Sequence, residues 1–255
     1  MNKLKQSLKQ NKVSFGTWIQ IPHPAIIEII ANTFSTKLDW MCIDMEHGVI
    51  DIESMTNLIR TIEKYNITPL VRIPKNDYIW IHRSLDAGAK GLIIPMIKNG
   101  EEAKNAIDEC KYPPEGKRSF GYSRSNGYGQ YFDNCCLEDN DDIPIILQIE
   151  HIEAINNLDE ILKSPNMDGT FIGPLDLAGS MGLSSKIEME GRFFLDTLDK
   201  YRNKSFEFNV PTGIHIIHPD KEKIDKAQKD GYKIIALGLD TVFLSEKCRD
   251  ILKYL

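Results

Sequence analysis

Several absences narrow the field before any motif is considered. No stretch of the 255-residue chain approaches the roughly 18 apolar residues that a membrane-spanning helix needs. No block of Lys and Arg is present, and the formal net charge of 31 − 37 = −6 speaks against a nucleic-acid partner. The lysines of the opening MNKLKQSLKQNK have no apolar run behind them, which is unlike a signal peptide. Cysteine is sparse. Cys42, Cys110, Cys135, Cys136 and Cys248 make an odd count without a CxxC pair, so neither a disulfide framework nor a zinc site is indicated. Cys42 lies inside an apolar run and reads as a small buried hydrophobe, while the adjacent Cys135 and Cys136 cannot bond to each other without strain. Reduced thiols and a cytoplasmic location are the expectation.

What is present is a repeat of short apolar runs. Eight strand candidates begin at Ser14 (SFGTWIQ), Leu38 (LDWMCIDM), Thr68 (TPLVRIP), Gly91 (GLIIPM), Ile143 (IPIILQI), Gly169 (GTFIGP), Thr212 (TGIHII) and Tyr232 (YKIIALGL). Most are continuous rather than alternating, as in parallel strands covered on both faces. Helical patterns separate them, among them PAIIEIIANTF, IESMTNLIRTIEKY and IEAINNLDEILK. Eightfold β–α alternation in about 250 residues favours one closed (β/α)8 barrel, a TIM barrel, spanning residues 1–255. Two stretches depart from the repeat. Residues 112–142 form a long connection rich in Gly, Tyr, Asn and Asp, read as a functional loop. Residues 182–209 read as a solvated helix pair.

In such a barrel the active site gathers at the carboxyl ends of the strands. His47, Arg72, Glu150 and Asp176 all end or follow strand candidates, with Gln148 two residues before Glu150 and on the same face. Paired carboxylates suit a hard divalent cation with positions left for water and substrate, although both could instead be helix N-caps. A guanidinium within VRIP needs an anion, either a substrate or a salt bridge with Asp44 or Glu150. An imidazole at His47 can move a proton near neutral pH. Gly173-Pro174-Leu175-Asp176 offers backbone N–H groups at a helix start, where a carboxylate can bind. His23 is placed at the mouth, His82 and His151 on helix surfaces, and His215 and His218 in packing positions. Arg118 and Arg124 could reach an acidic substrate or lie in a solvated loop. Lys75 and Lys98 look exposed, which disfavours Schiff-base chemistry.

Read in order, GTWIQ, DWMCIDMEHG, PLVRIPKND, SLDAGAKGLIIPM, YPPEGKRSFG, QIEHIEAINNLDEI and MDGTFIGPLDLAGSMG resemble the HpcH/HpaI family of class II aldolases. The match runs from about Ser14 to Gly182 and weakens afterwards to GIHIIHP and ALGLD. The resemblance implies a barrel of the phosphoenolpyruvate/pyruvate type that cleaves a 4-hydroxy-2-oxo acid to pyruvate and an aldehyde. It implies Mg²⁺, Mn²⁺ or Co²⁺ held by Glu150 and Asp176, and an enolate stabilised by Arg72. His47 would be the acid/base, with Asp44 the acidic residue near it. Trp18 and Gln148 would line the site, and the amides from Gly173 through Pro174 and Leu175 to Asp176 would cradle the pyruvate carboxylate. Asp86 matches an aspartate paired with that histidine; it ends a helix at the opposite end of a barrel, so it would reach His47 from a neighbouring subunit. A homo-oligomer follows, a hexamer or trimer of dimers with the last helix exchanged. The family pattern EHA followed by Pro and Asn or Asp is replaced here by EHGVID, a change that bears on the aldehyde. A related lyase or decarboxylase on another 2-oxo acid is the alternative, and a non-catalytic sugar-acid-binding barrel is a remoter one.

Overall fold

The computed structural model describes residues 2–255, apart from the side chains of residues 134–138 and 186, so Cys135 and Cys136 lie outside the described residues. Eight strands form a closed, all-parallel barrel in sequence order. They are β1 (Ser14–Ile19), β2 (Trp40–Asp44), β3 (Thr68–Arg72), β4 (Leu92–Ile94), β5 (Ile145–Ile149), β6 (Gly169–Ile172), β7 (Thr212–Ile216) and β8 (Ile234–Leu239). All eight coincide with the apolar runs of the sequence.

Side chains alternate along each strand, so every second residue faces the barrel interior. The interior cluster is Trp18, Trp40, Cys42, Leu70, Ile93, Ile146, Phe171, Ile234 and Ala236, all nearly inaccessible. Continuing the same inward row toward the carboxyl ends turns it polar: Trp18 leads to Gln20, Cys42 to Asp44, Leu70 to Arg72, and Ile146 to Gln148 and Glu150. Chain chemistry therefore divides the barrel into a dry lower half and an ionisable mouth.

A second, larger cluster fills the space between strands and helices. In the helix Ile52–Glu63 the buried residues Met55, Leu58, Ile59 and Ile62 recur at helical spacing and form its inner stripe. Asp51, Asp77, Asn99 and Asp220 each accept a backbone N–H at a helix start, and so mark strand-to-helix turns at the mouth.

The opening segment, which carried no fold signal, is a helix (Lys3–Lys9) that closes the floor. Leu4 is fully buried against the interior cluster. Asn2 donates to the Lys90 carbonyl, and Lys5 pairs with Asp168 at 3.1 Å.

Three sequence expectations need correction. IEAINNLDEILK is two short helices, Ile152–Asn156 and Leu158–Leu162, because Asn157 leaves helical geometry at ψ 17°. The 112–142 connection is not all loop: it ends in the helix Phe132–Asp142, and Arg118 within it is buried rather than solvated. The 182–209 segment is a single turn, Lys186–Met189, followed by a 16-residue helix, Arg192–Glu207, that buries Phe194 and Tyr201. Of the described cysteines, Cys42 and Cys110 are buried and free, and Cys248 is exposed and free. No described helix is long and apolar enough to cross a membrane.

Candidate active site

The mouth opens into a pocket of about 850 Å³ whose walls include Trp18, Asp44, His47, Arg72, Gln148 and Asp176. Its most ordered part is a fork. Arg72 Nε and Nη2 donate to Asp44 Oδ1 and Oδ2 at 3.0 and 2.8 Å, and Arg72 Nη1 lies 3.3 Å from Glu46 Oε2. Register explains the first pairing, because Asp44 and Arg72 are Cα partners on adjacent strands. The guanidinium also stacks on Trp18, 4.3 Å from the ring centroid. Of the two salt bridges considered for Arg72, the one with Asp44 forms; it fixes the guanidinium plane without removing it from the pocket wall.

Asp44 is almost wholly buried. Burial pushes its carboxyl up, but Arg72, the Gln20 amide and the His47 N–H outweigh that and hold it below the ordinary value. Arg72 is correspondingly held protonated: burial opposes its charge and Asp44 more than restores it. Glu46 shifts the other way. Its burial, with Asp44 and Asp176 nearby, raises its carboxyl despite Arg72.

Glu150 is the most perturbed carboxylate. Burial, reinforced by Glu46 and Asp176, pushes it up to about 7 against the Met96 N–H, which donates at 2.8 Å. Gln148 Nε2 donates to its other oxygen at 2.5 Å, leaving Gln148 Oε1 buried with no partner. Neither Glu150 nor Asp176 is a helix N-cap, since His151 and Gly173 occupy those positions and Asp176 lies in the first turn after Gly173. Among the described residues no group of three or more His, Cys, Asp and Glu is gathered tightly enough to hold a metal. The two carboxylates and the orphaned amide oxygen are nevertheless an all-oxygen donor set in which Glu150 stays raised despite the nearby Arg72, and this fits a hard divalent cation with open positions.

His47 follows β2 by three residues. Its side chain is 57% exposed and lies 4.0 Å from Glu46 Oε2. Its backbone N–H donates to Asp44 Oδ1 at 3.1 Å, which ties the loop to the fork. Gly48 is required next, because a Cβ there would collide with the Asp44 carbonyl. Val49 projects into solvent, 86% exposed. Leu175 is exposed at the rim, and Gly173 and Pro174 line the wall with it.

Other candidates are placed elsewhere. Asp86 does not meet His47 within the chain; its Oδ1 accepts from Arg118 Nη2 at 3.0 Å. Arg118 is fully buried, stacked on Tyr112 and also paired with Asp139. Arg124 donates to the Ala87 carbonyl and pairs with Glu63. Neither arginine lines the pocket. His23 caps the helix Pro24–Phe34 instead of lining the mouth, and His151 caps its own helix. His82 is not a free surface residue, since it meets Glu109 at 2.9 Å. His215 and His218 line the pocket rather than pack. His215 tilts against Trp18 at 5.7 Å, and burial lowers it to about 4. Lys75 is exposed and Lys98 is partly so, 4.0 Å from Glu153.

Sequence reasoning passed over Glu46 and Gln20 as site residues. Period-2 alternation from Asp44 and from Trp18 points to both.

Residues 14–246 match the model of the HpcH/HpaI aldolase/citrate lyase family. A 4-hydroxy-2-oxovalerate aldolase of Novosphingobium aromaticivorans is 32% identical, covering 99% of this chain and 94% of its own. A hydroxypyruvate/pyruvate aldolase of Roseobacter denitrificans is 34% identical over 71% of this chain and 70% of its own. The crystal structure of a family protein from Burkholderia cenocepacia superposes with a TM-score of 0.91 at 27% identity, covering 100% of this chain and 99% of that one. A barrel whose mouth carries this fork and these carboxylates, matched over nearly its whole length, belongs to the HpcH/HpaI aldolase/citrate lyase family.

Proposed function

We propose that the protein is a divalent-metal-dependent class II aldolase that cleaves a 4-hydroxy-2-oxo acid to pyruvate and an aldehyde, and runs the reverse condensation. The observation that carries this reading is the buried Glu150 carboxylate, raised to about 7 by burial with Glu46 and Asp176 adding, and joined through Gln148 to a pocket wall that also holds Asp176 and the Arg72 fork. Glu150 and Asp176 would hold Mg²⁺, Mn²⁺ or Co²⁺. When bound, such a cation supplies Lewis-acid charge at the 2-oxo group.

The chain's own groups do the rest. The N–H groups of Leu175 and Asp176 receive the substrate carboxylate, while Pro174, which has no N–H, sets the turn. Trp18 and Gln148 form the walls against which the oxo acid lies. His47 accepts the proton of the C4 hydroxyl, directly or through water, as the C3–C4 bond breaks and the aldehyde leaves. The bonding pair passes to C3 and the 2-oxo oxygen, where Arg72, held in plane by Asp44, stabilises the enolate. Protonation at C3 then gives pyruvate. Asp86, already paired with Arg118, would orient His47 only from a neighbouring subunit. The hydroxy-oxo acid and aldehyde are the only partners proposed besides further copies of the chain.

The test is condensation of pyruvate with a panel of aldehydes, read by product mass. Chelation should abolish product, and Mg²⁺, Mn²⁺ or Co²⁺ should restore it. Glu150→Ala or Asp176→Ala with full activity after dialysis against chelator would refute the metal assignment.

A further inference from the structure

The motif ALGLD at the end of β8 plays no part in the chemistry above, yet it is wired to it. Asp240, 1% exposed, opens the last helix. Its carboxylate accepts the backbone N–H of Gln20 at 3.0 and 3.1 Å and that of Ile21 at 2.8 Å. The β1 loop is thereby fastened to the first turn of that helix. The next residue, Thr241, donates its hydroxyl to Gln20 Oε1 at 3.2 Å. Gln20 Nε2 in turn donates to Asp44 Oδ2 at 2.9 Å, the oxygen that also receives Arg72 Nη2.

The chemistry fixes the direction of this chain. A deprotonated carboxylate only accepts, so the amide must present its nitrogen to Asp44 and its oxygen to the hydroxyl. Thr241 therefore selects the amide orientation that Asp44 needs. Gln20 also borders the loop that carries His47, since a Cβ added at Gly48 would come into ordinary contact with the Gln20 Cα, at 3.4 Å.

We infer that Gln20 is a positioning residue for the Asp44–Arg72 fork, held in register by Thr241, so that the seating of the last helix is felt at the guanidinium. The inference rests on the role proposed for Arg72. Asp44 accepts five hydrogen bonds, from Arg72 Nε and Nη2, Gln20 Nε2, and the N–H groups of Glu46 and His47. The Gln20 bond is the only side-chain donation among them apart from those of Arg72. Its loss leaves Oδ2 with Arg72 alone, and the fork can tilt about the remaining contacts. A bidentate fork that must meet a small developing charge loses rate when misaligned by fractions of an ångström.

The experiment is a double-mutant cycle on the intact protein with metal saturating. Arg72→Ala is included as a control: if it retains full activity, the proposed function fails and the cycle has no bearing on Gln20. With that control inactive, Gln20→Leu should lower kcat by about tenfold, the scale of one lost hydrogen bond to a charged group, with little change in KM. Thr241→Val, outside the pocket, should lower kcat by about threefold, and Thr241→Ser should restore it. In the Gln20→Leu background Thr241→Val should have no further effect, since its influence passes through the amide. An unchanged kcat in Thr241→Val, or an undiminished loss in the Gln20→Leu background, overturns the inference. So does a fall in melting temperature with no fall in kcat.

Discussion

At the scale of single residues, the proposed mechanism assigns Arg72 and His47 to different parts of the substrate. Arg72 is anchored by three charged contacts and should act on the enolate, which forms both in aldol cleavage and in exchange of pyruvate's methyl protons with solvent. His47 is exposed, with its backbone N–H held by Asp44 and its ring 4.0 Å from Glu46, and it should act on the aldol hydroxyl, which pyruvate lacks. Arg72→Ala should therefore slow both cleavage and exchange by about 10²-fold or more. His47→Ala should slow cleavage by about 10²–10⁴-fold and exchange by much less; equal loss of both would make His47 the enolising base. His215 gives a separate prediction. Burial chiefly, with Arg72 adding, lowers its pKa from 6.5 to about 4 against the Gly238 carbonyl. The folded chain thus binds this proton less readily than the unfolded chain. The associated stability is full above about 6.5, and it is lost as pH falls through that value toward 4. Denaturant titrations of wild type and His215→Gln should diverge across this window by up to about 3 kcal/mol. A flat difference, or a His215 ring resonance that titrates near 6.5, would contradict the assignment.

At the scale of elements, the floor and the mouth divide stability from chemistry. Leu4 of the N-terminal helix fills the base of the interior, far from Arg72 and Glu150, with no accessible surface. Leu4→Ala should cost about 2–5 kcal/mol in urea denaturation and leave kcat within about twofold. A large kcat effect with unchanged stability would mean that the helix reaches the site. The strands were legible in the sequence because each is a run of β-formers buried on both faces. Their inward rows could be read because the period is 2, which is why Arg72, Gln148 and Glu150 were named. The N-terminal helix was invisible because a helix of seven residues with one buried side chain has too little apolar periodicity to stand out. The break at Asn157 was missed because LDEIL continues the apolar spacing of IEAIN and only the backbone departs from it. Arg118 was misjudged for a different reason: a Gly- and Tyr-rich context looks solvated, and burial came from Asp86 and Asp139, distant in sequence. Long-range pairing of this kind leaves no local signal.

At the scale of the whole molecule, the last helix is the unfinished part. It runs from Asp240 to Leu252, and Asp240 is its only buried residue. Leu244, Ile251 and Leu252 are 59, 51 and 64% exposed, and Leu255 just beyond is 97% exposed. Packing of this face on the chain's own barrel, the simplest cover for it, is not what the structure has. The first turn packs on the chain through Phe243, whose ring lies 6.2 Å from that of Phe34, but the turns beyond it have no such cover, and helices draw most of their stability from an apolar face packed on something else. Exchange of this helix between two copies would cover the row. Light scattering at micromolar concentration should report a dimer or a multiple of one. Leu244→Glu with Ile251→Glu should shift the mass toward monomer and lower the melting temperature, because a carboxylate cannot be buried in an apolar contact without a partner. A monomeric wild type would rule out the exchange. An oligomer that survives both substitutions would place the interface on another face.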